Sequence, residues 1–236
     1  MDMKIISEIQ KELESNIDPA PKVSPNYYFK ETVKFHGVKT AVVGEVGRRR
    51  FLEIKYRSKE EIFALCTALL ATDYSEEAFI ACEWAYRLRD QFVPGDIETF
   101  EDWLKKYINN WAKCDTLCNH TMGAFVEKYP QSTDRLKIWA KSDNRWLRRA
   151  AAVTLILPAR KGRFLKEVLE IADILLRDKD DLVQKGYGWM LREAGKMHQA
   201  EVFNYIIKNK AVMPRTALRY AIEKFPDHLK KEAMAR

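Results

Sequence analysis

Lys185-Gly-Tyr-Gly-Trp-Met-Leu-Arg-Glu-Ala-Gly-Lys196 combines a helical apolar pattern with a tryptophan among cations. An α-helix advances about 100° per residue, so the apolar side chains of this region gather on one face. They are Val183, Tyr187, Met190, Leu191 and Ala194. The other face, within roughly 60° of arc, carries Lys185, Trp189, Arg192 and Lys196. The stretch predicts a helix that packs one face against a core and displays Trp189 on the other.

The same periodicity recurs along most of the chain, whereas the alternation typical of β-strands is nearly absent. The segment Lys39–Val46 is ambiguous. Proline and glycine residues divide the chain into segments of ordinary helix length. Capping signals agree, since Ser58–Glu61 has the pattern of a capping box and Pro214 that of a first helical residue. The chain is therefore predicted to be all-α.

Roughly a dozen helices with short connections would pair as hairpins about 35 to 45 residues apart, and a stack of such hairpins is an α-solenoid superhelix. A globular helical bundle is the alternative. We expect a single repeat domain over residues 1–236, in which residues 1–25 form an N-terminal helix and a proline-rich linker.

The charge of the chain is unevenly distributed. Among 236 residues the net charge is +7, yet residues 1–100 hold 14 Lys and Arg against 17 Asp and Glu. Residues 101–236 hold 27 against 17, so a polyanion is expected to bind mainly there. An aromatic plane among cations suits a nucleic acid, because phosphates attract the cations and a base or sugar packs on the ring.

No apolar leader precedes the cysteines, and no apolar run is long enough to span a membrane. We expect a cytoplasmic protein with reduced thiols and no membrane partner. Cys114, Cys118 and His120 lie close together but lack a fourth ligand nearby, so core cysteines are expected and no metal. Gly186 and Gly188, inside a predicted helix, indicate close approach of another helix or backbone.

A carboxylate interrupts the cationic pattern in the segment Asn109–Cys118. Trp111 and Asp115 are four residues apart, so on a helix the carboxylate lies beside the indole. An acidic residue weakens polyanion binding unless it has another task, such as stabilising positive charge that develops on the nucleic acid. The alternative is that Asp115 caps a helix beginning at Thr116.

Two further segments place arginines on helix surfaces. Asn144–Ala152 carries a tryptophan and three arginines within about one turn, where guanidinium groups could bind phosphates bidentately. A solvated helix end is the alternative. Arg215 and Arg219 lie one turn apart, and their pattern is also that of an ordinary exposed face.

Taken in order, these segments resemble the motifs of the DNA alkylation repair family of AlkD-like DNA glycosylases. The matching motifs are Tyr27–Lys30, Phe35–Thr40, Trp111-x3-Asp115, Trp146–Ala150, Val183–Arg192 and Pro214–Ala221. The family pattern continues after Gly37-Val-Lys-Thr40 with proline and then an arginine, whereas Ala41-Val-Val-Gly44 follows here. The resemblance implies a superhelix of HEAT-like repeats whose basic concave face cups duplex DNA.

The resemblance also implies base excision repair, in which the enzyme hydrolyses the N-glycosidic bond of cationic N3- or N7-alkylated purines without base flipping, metal or cofactor. A monomer is expected, because a solenoid that wraps a duplex needs no partner subunit. It makes Asp115 the catalytic carboxylate and places Trp111 and Trp189 beside the lesion deoxyribose. Arg148 or Arg149, together with Arg192, would hold the DNA backbone. The remaining expected DNA contacts are Lys185, Lys196, Arg215, Arg219, Tyr27 and Tyr28.

Two other functions fit the same sequence. One is a non-catalytic HEAT-like module that binds branched or damaged DNA, and the other is a protein-binding solenoid whose basic face meets acidic partners. The set of Trp111, Asp115 and Trp189 favours the glycosylase, because a purely structural binder has no evident reason to keep these residues together.

Overall fold

The structure, a computed structural model, describes residues 4–20 and 25–235. Over these residues the chain is helical and has no β-strand, only isolated bridges between Ile17 and Val38 and between Lys34 and Tyr74. The predicted all-α helical-repeat fold is confirmed. The ambiguous segment Lys39–Val46 is helical from Thr40 onward. Part of the predicted proline-rich linker, residues 21–24, lies outside the described residues.

The chain forms two compact units, residues 1–117 and residues 118–236. The helices of the first unit are α1 (Lys4–Ser15), α2 (Thr40–Ile54), α3 (Lys59–Ala71), α4 (Ser75–Arg87), α5 (Asp96–Lys106) and α6 (Trp111–Thr116). A short 3₁₀ helix at Pro25–Tyr28 precedes α2. Helix α3 begins with the predicted capping box, in which Ser58 Oγ accepts from the Glu61 amide at 3.2 Å and the Glu61 carboxylate accepts from the Ser58 amide at 2.9 Å.

Helix α1 is amphipathic, and its apolar stripe anchors it to the first unit. Ile5, Ile6, Ile9 and Leu13 are all buried, and α1 packs against α2 and α3. Burial of each such side chain contributes about 1.5–3 kcal/mol relative to exposure. The N-terminal helix predicted from the sequence is therefore an integral part of this unit.

The helices of the second unit are α7 (Gly123–Lys128), α8 (Thr133–Trp139), α9 (Arg145–Val153), α10 (Ile156–Arg160), α11 (Leu165–Leu175), α12 (Asp181–Ala194), α13 (Gln199–Asn209), α14 (Arg215–Ile222) and α15 (Asp227–Met234). Helix α14 begins at Arg215, so Pro214 precedes its first residue instead of being that residue. None of the described helices is long and apolar enough to cross a bilayer.

Each unit contains a row of helices in which one helix contacts others that are two or three places away along the chain. In the first unit α4 packs against both α2 and α6, and in the second α12 packs against both α9 and α14. Consecutive helices such as α3 and α4, or α11 and α12, also pack together. This pattern is that of a helical repeat, because each repeat packs internally and also against the next repeat.

Helix α12 lies unusually close to α14. A Cβ atom on Gly188 would be 2.7 Å from the Ala217 carbonyl oxygen and 2.7 Å from Tyr220 Cβ. A Cβ on Gly186 would be 3.5 Å from the Arg149 side chain of α9. The prediction that the two glycines mark close helix approach is confirmed for Gly188. At Gly186 a Cβ atom would have only an ordinary van der Waals contact.

Candidate functional site

Helix α6 carries Trp111 and Asp115 one turn apart, and both side chains are half-buried. The helix begins at Trp111 because the Asn110 side chain caps it, accepting a hydrogen bond from the Lys113 amide at 3.0 Å. Thr116 is the last residue of α6, so Asp115 does not cap a helix beginning there, and that alternative is wrong. A π-helical turn, Leu117–Met122, continues the chain, and such turns are frequent at functional sites.

The indole of Trp111 is fixed by the segment that precedes α2. Phe29 stacks on it with ring centroids 5.2 Å apart and an interplanar angle of 16°. Trp111 Nε1 donates a hydrogen bond to the Tyr28 carbonyl at 3.2 Å. Tyr27 and Tyr28 themselves are 75% and 63% exposed, so their rings are available to a ligand, as the DNA-binding prediction requires. One face of Trp111 is thus covered by Phe29.

Lys113 lies between Trp111 and Asp115 in the sequence and anchors α6 to Asp73 and Asn109. Its side chain is fully buried, and Nζ donates to Asp73 Oδ1 at 2.7 Å, to the Asp73 carbonyl at 2.8 Å and to Asn109 Oδ1 at 3.1 Å. Asp73 adopts a left-handed backbone conformation, with φ of 69°. Although burial raises the pKa of the Asp73 carboxyl, hydrogen bonding and the charge of Lys113 lower it overall.

A pocket of about 690 Å³ lies in the first unit beside Trp111. Its walls come from α2, α4, α6 and the chain before α2, and include Phe29, Phe35, Val43, Gly44, Arg48, Phe79, Glu83 and Trp111. At one edge of the pocket, the buried Glu76 carboxylate accepts hydrogen bonds from the backbone amides of His36, Gly37 and Val38 at 3.1, 2.8 and 3.2 Å. The family-like Phe35–Thr40 segment is therefore tied to α4.

The two adjacent arginines of α9 have different surroundings. Arg149 is only 5% exposed, and its guanidinium donates to the Leu182 carbonyl of α12. Arg148 is half-buried, with Nε 2.6 Å from Asp178 Oδ2 and Nη1 2.9 Å from the Ser142 carbonyl. This placement argues against Arg149 as a DNA contact, because burial and the bond to Leu182 keep its guanidinium inside the unit. Arg148 is the more accessible of the two.

On α12 the predicted apolar face is confirmed, since Val183, Tyr187, Met190, Leu191 and Ala194 are all at most 1% exposed. Trp189 is half-buried instead of fully displayed, and its buried Nε1 has no hydrogen-bond partner among the described residues. The Arg192 guanidinium carbon lies 5.9 Å from the Trp189 ring centroid. Helix α12 ends at Ala194, so Lys196 lies in the following turn and not on the predicted helical stripe.

The cations near Trp189 are held by carboxylates. Lys185 pairs with Asp181 at 3.2 Å, and Arg192 pairs with the exposed Glu223. Glu193, whose role the sequence did not indicate, is almost fully buried and accepts from Lys196 at 2.6 Å and from Arg160 at 2.7 Å.

Burial raises the pKa of Glu193, but the bonds to Lys196 and Arg160 outweigh it and lower the pKa to about 2. The carboxylate therefore stays charged at neutral pH. A polyanion that recruited Lys196 would have to compete with this carboxylate.

On α14, Arg215 and Arg219 are exposed, and neither forms a hydrogen bond or ion pair with a described residue. The arginines of α9 and Arg192, by contrast, have hydrogen-bond or ion-pair partners. Their guanidinium groups are therefore already available for an anionic partner.

The four cysteines, Cys66, Cys82, Cys114 and Cys118, are buried and free, as expected of core cysteines. Burial, with a smaller contribution from Cys82, raises the pKa of the Cys66 thiol. The described residues contain no group of three or more His, Cys, Asp or Glu side chains placed to hold a metal ion.

Comparisons with known proteins agree with the fold. A family model described as DNA alkylation repair enzyme matches residues 9–225. A solved structure, titled a predicted DNA alkylation repair enzyme from Enterococcus faecalis, has 14% sequence identity and a TM-score of 0.73, with 96% of this chain and 97% of that chain covered. At that identity the likeness shows the fold alone. A comparison with curated proteins found no match. Because the family model spans nearly the whole sequence, the chain belongs to the DNA alkylation repair enzyme family.

Proposed function

We propose that this protein is a monofunctional DNA glycosylase that hydrolyses the N-glycosidic bond of cationic N3- or N7-alkylated purines in duplex DNA. Family membership gives a DNA repair role and interaction with DNA. The reaction and its substrates are the proposal. The observation that carries it is the arrangement on α6, where Trp111 and Asp115 lie one turn apart and Phe29 and Tyr28 hold the indole.

The chemistry requires little more than such a pair. Alkylation at N7 or N3 gives the purine a positive charge and makes it a good leaving group, so no general acid has to protonate it. As the bond breaks, the deoxyribose acquires oxocarbenium character, and a carboxylate beside it stabilises that charge. Asp115 has this role and orients the attacking water. The alkylated purine leaves with the bonding electrons as a neutral base, and the proton of the attacking water passes to the Asp115 carboxylate and then to solvent as the abasic site forms. The Trp111 indole adds a cation-π contribution.

The remaining contacts follow the family resemblance. Tyr27 and Tyr28 contact the DNA beside Trp111, Trp189 is a further aromatic contact with DNA, and cations bind backbone phosphates. Those proposed are Arg148, Lys185, Arg192, Lys196, Arg215 and Arg219. Arg149 is left out because it is buried. We also propose that the protein acts as a monomer on a stacked base, without metal or cofactor, along the basic concave face of a HEAT-like superhelix. The free cysteines fit a reducing, cytoplasmic environment.

The test is the substitution Asp115→Asn, which removes the charge and changes the shape little. We expect release of 7-methylguanine from methylated duplex DNA to fall about 10²–10³-fold, the usual size of one electrostatic contact with a transition state. Binding to the same duplex should persist. Asp134→Asn, which changes an exposed carboxylate on α8, is the matched control and should release base at the wild-type rate.

Full base release by Asp115→Asn would contradict the proposal. A wild-type protein that binds damaged or branched duplexes but releases no base would support the non-catalytic DNA-binding module instead. Absence of DNA binding would favour the protein-binding scaffold and would be at odds with the family assignment.

A further inference from the structure

Three consecutive arginines on α2 have different partners. Arg49 pairs with Glu12 of α1. Arg50 pairs with Glu8 at 2.8 Å, with Glu12 at 3.1 Å and with Glu53 at 3.1 Å. Arg48 is exposed and forms no hydrogen bond or ion pair with any described residue. Two of the three guanidinium groups therefore stabilise the packing of α1 on α2, and the third is left with its charge unpaired.

Arg48 faces the pocket that contains Trp111. It lines that pocket together with Val43 and Gly44 of α2 and with Phe79 of α4. Its guanidinium folds back over Gly44, since a Cβ atom on Gly44 would lie 3.3 Å from Arg48 Nη1. The missing side chain at position 44 thus gives the guanidinium room to lie along the pocket wall.

The acidic residues of the pocket do not neutralise Arg48. Asp18 lies 3.5 Å from Lys39, and Glu76 accepts from three backbone amides. Glu83 pairs with Arg87 through Oε1 at 2.6 Å, while its buried Oε2 has no hydrogen-bond partner among the described residues. Each carboxylate has a partner of its own, so among the described lining residues Arg48 is the cation that lacks one.

We propose that Arg48 binds a backbone phosphate of duplex DNA in the pocket it shares with Trp111. The proposal rests on the function proposed above, and adds a phosphate contact in the unit that carries Asp115. A guanidinium with five donors and no carboxylate partner is suited to a phosphate diester, whose oxygens it can bind in pairs. The aromatic and aliphatic walls suit the sugar of the same nucleotide.

This contact also offsets an electrostatic problem. Residues 1–117 carry more acidic than basic side chains, 20 against 17, so the net charge of the first unit opposes DNA binding. Arg48, in the pocket that Trp111 also lines, attracts the DNA backbone to that part of the unit.

The test is binding of the full-length protein to a short duplex carrying one tetrahydrofuran abasic-site analogue, measured over a series of salt concentrations. For Arg48→Ala we expect the slope of log K against log salt to fall by about 0.9, the contribution of one phosphate. That slope change corresponds to about eightfold weaker binding at 0.1 M salt, relative to an extrapolated 1 M reference. Arg49→Ala, one residue away and paired with Glu12, should keep the wild-type slope.

Two further variants separate charge from folding. Arg48→Lys keeps the charge and should retain the slope. Gly44→Leu keeps Arg48 but fills the space under its guanidinium, and should weaken binding. An unchanged slope in Arg48→Ala, or an equal fall in Arg49→Ala, would overturn the proposal, whichever way Asp115→Asn behaves in the base-release assay. If Arg48→Ala fails to fold, an unchanged affinity in Gly44→Leu would overturn it.

Discussion

Lys113 is a buried lysine on the same helical turn as Trp111 and Asp115, and its surroundings explain why α6 is rigid. Its ammonium is satisfied by Asp73 and Asn109, residues that precede α4 and α6. Removal of one partner from a buried ion pair leaves uncompensated polar groups, which costs more than the loss of a surface pair. The position of Asp115 therefore depends on a residue whose side chain is fully buried.

We predict that Lys113→Met lowers the free energy of unfolding by about 2–4 kcal/mol, because Asp73 and Asn109 lose the fully buried ammonium that they bind. Lys106→Met is the control, since Lys106 pairs with Asp102 on an exposed helix surface and such pairs contribute about 0–1 kcal/mol. Urea unfolding of both variants measures the difference. Equal stabilities would mean that Lys113 is not an anchor.

The sequence could not reveal this anchor. A lysine two residues after a tryptophan has the pattern of a surface cation, and its true partner, Asp73, is 40 residues earlier and has a left-handed backbone conformation. Phe29 was missed for a related reason. It lies within the family-like Tyr27–Lys30 motif, but its contact with Trp111 joins positions 82 residues apart. By contrast, helical geometry alone was enough to predict that Trp111 and Asp115 lie one turn apart, and they do so in the structure.

At the level of elements, α12 and α14 are in contact through a glycine. Gly188 lets the α14 backbone at Ala217 approach more closely than any residue with a side chain would. Gly186, two residues earlier on α12, meets only the Arg149 and Val153 side chains at ordinary distances. Substitution by alanine can therefore be compared at two positions of the same helix that have different surroundings.

We predict that Gly188→Ala destabilises the protein by about 1–3 kcal/mol, because the added methyl forces α12 and α14 apart. Gly186→Ala should be neutral or stabilising by up to about 1 kcal/mol, since alanine is the better helix former and its methyl meets no short contact. Thermal unfolding followed by circular dichroism compares them. A stabilised Gly188→Ala variant would show that the close approach is not required.

Sequence patterns predicted elements well wherever a local signal was sufficient. The capping box at Ser58 and the buried face of α12 are examples, since each depends on residues within one or two turns. Two residues have surroundings that the local pattern does not give. Arg149 is buried and its guanidinium donates to the Leu182 carbonyl, 33 positions later, while α12 ends at Ala194, before the predicted stripe reaches Lys196.

At the level of the whole molecule, the basic side chains differ in how accessible they are to a ligand. Many cations of the second unit are engaged by carboxylates, as Arg148 is by Asp178 and Arg192 by Glu223. A phosphate gains less from a cation that must first leave a carboxylate, so the count of basic residues overstates the affinity for DNA. Unpaired, exposed arginines such as Arg215 and Arg219 should contribute most per residue.

We predict that the double variant Arg215→Ala with Arg219→Ala lowers the slope of log K against log salt by about 1.8, two phosphates at about 0.9 each. The control removes the same charge from the first unit, by Lys4→Ala with Lys106→Ala, whose side chains are paired with Glu8 and Asp102. If net charge alone governed binding, both double variants would lose the same affinity, because each lowers the charge of the protein by two. If unpaired cations make the contacts with DNA, only the α14 variant lowers the slope of log K against log salt. The decrease is then the same for undamaged and alkylated duplexes, because phosphates are common to both.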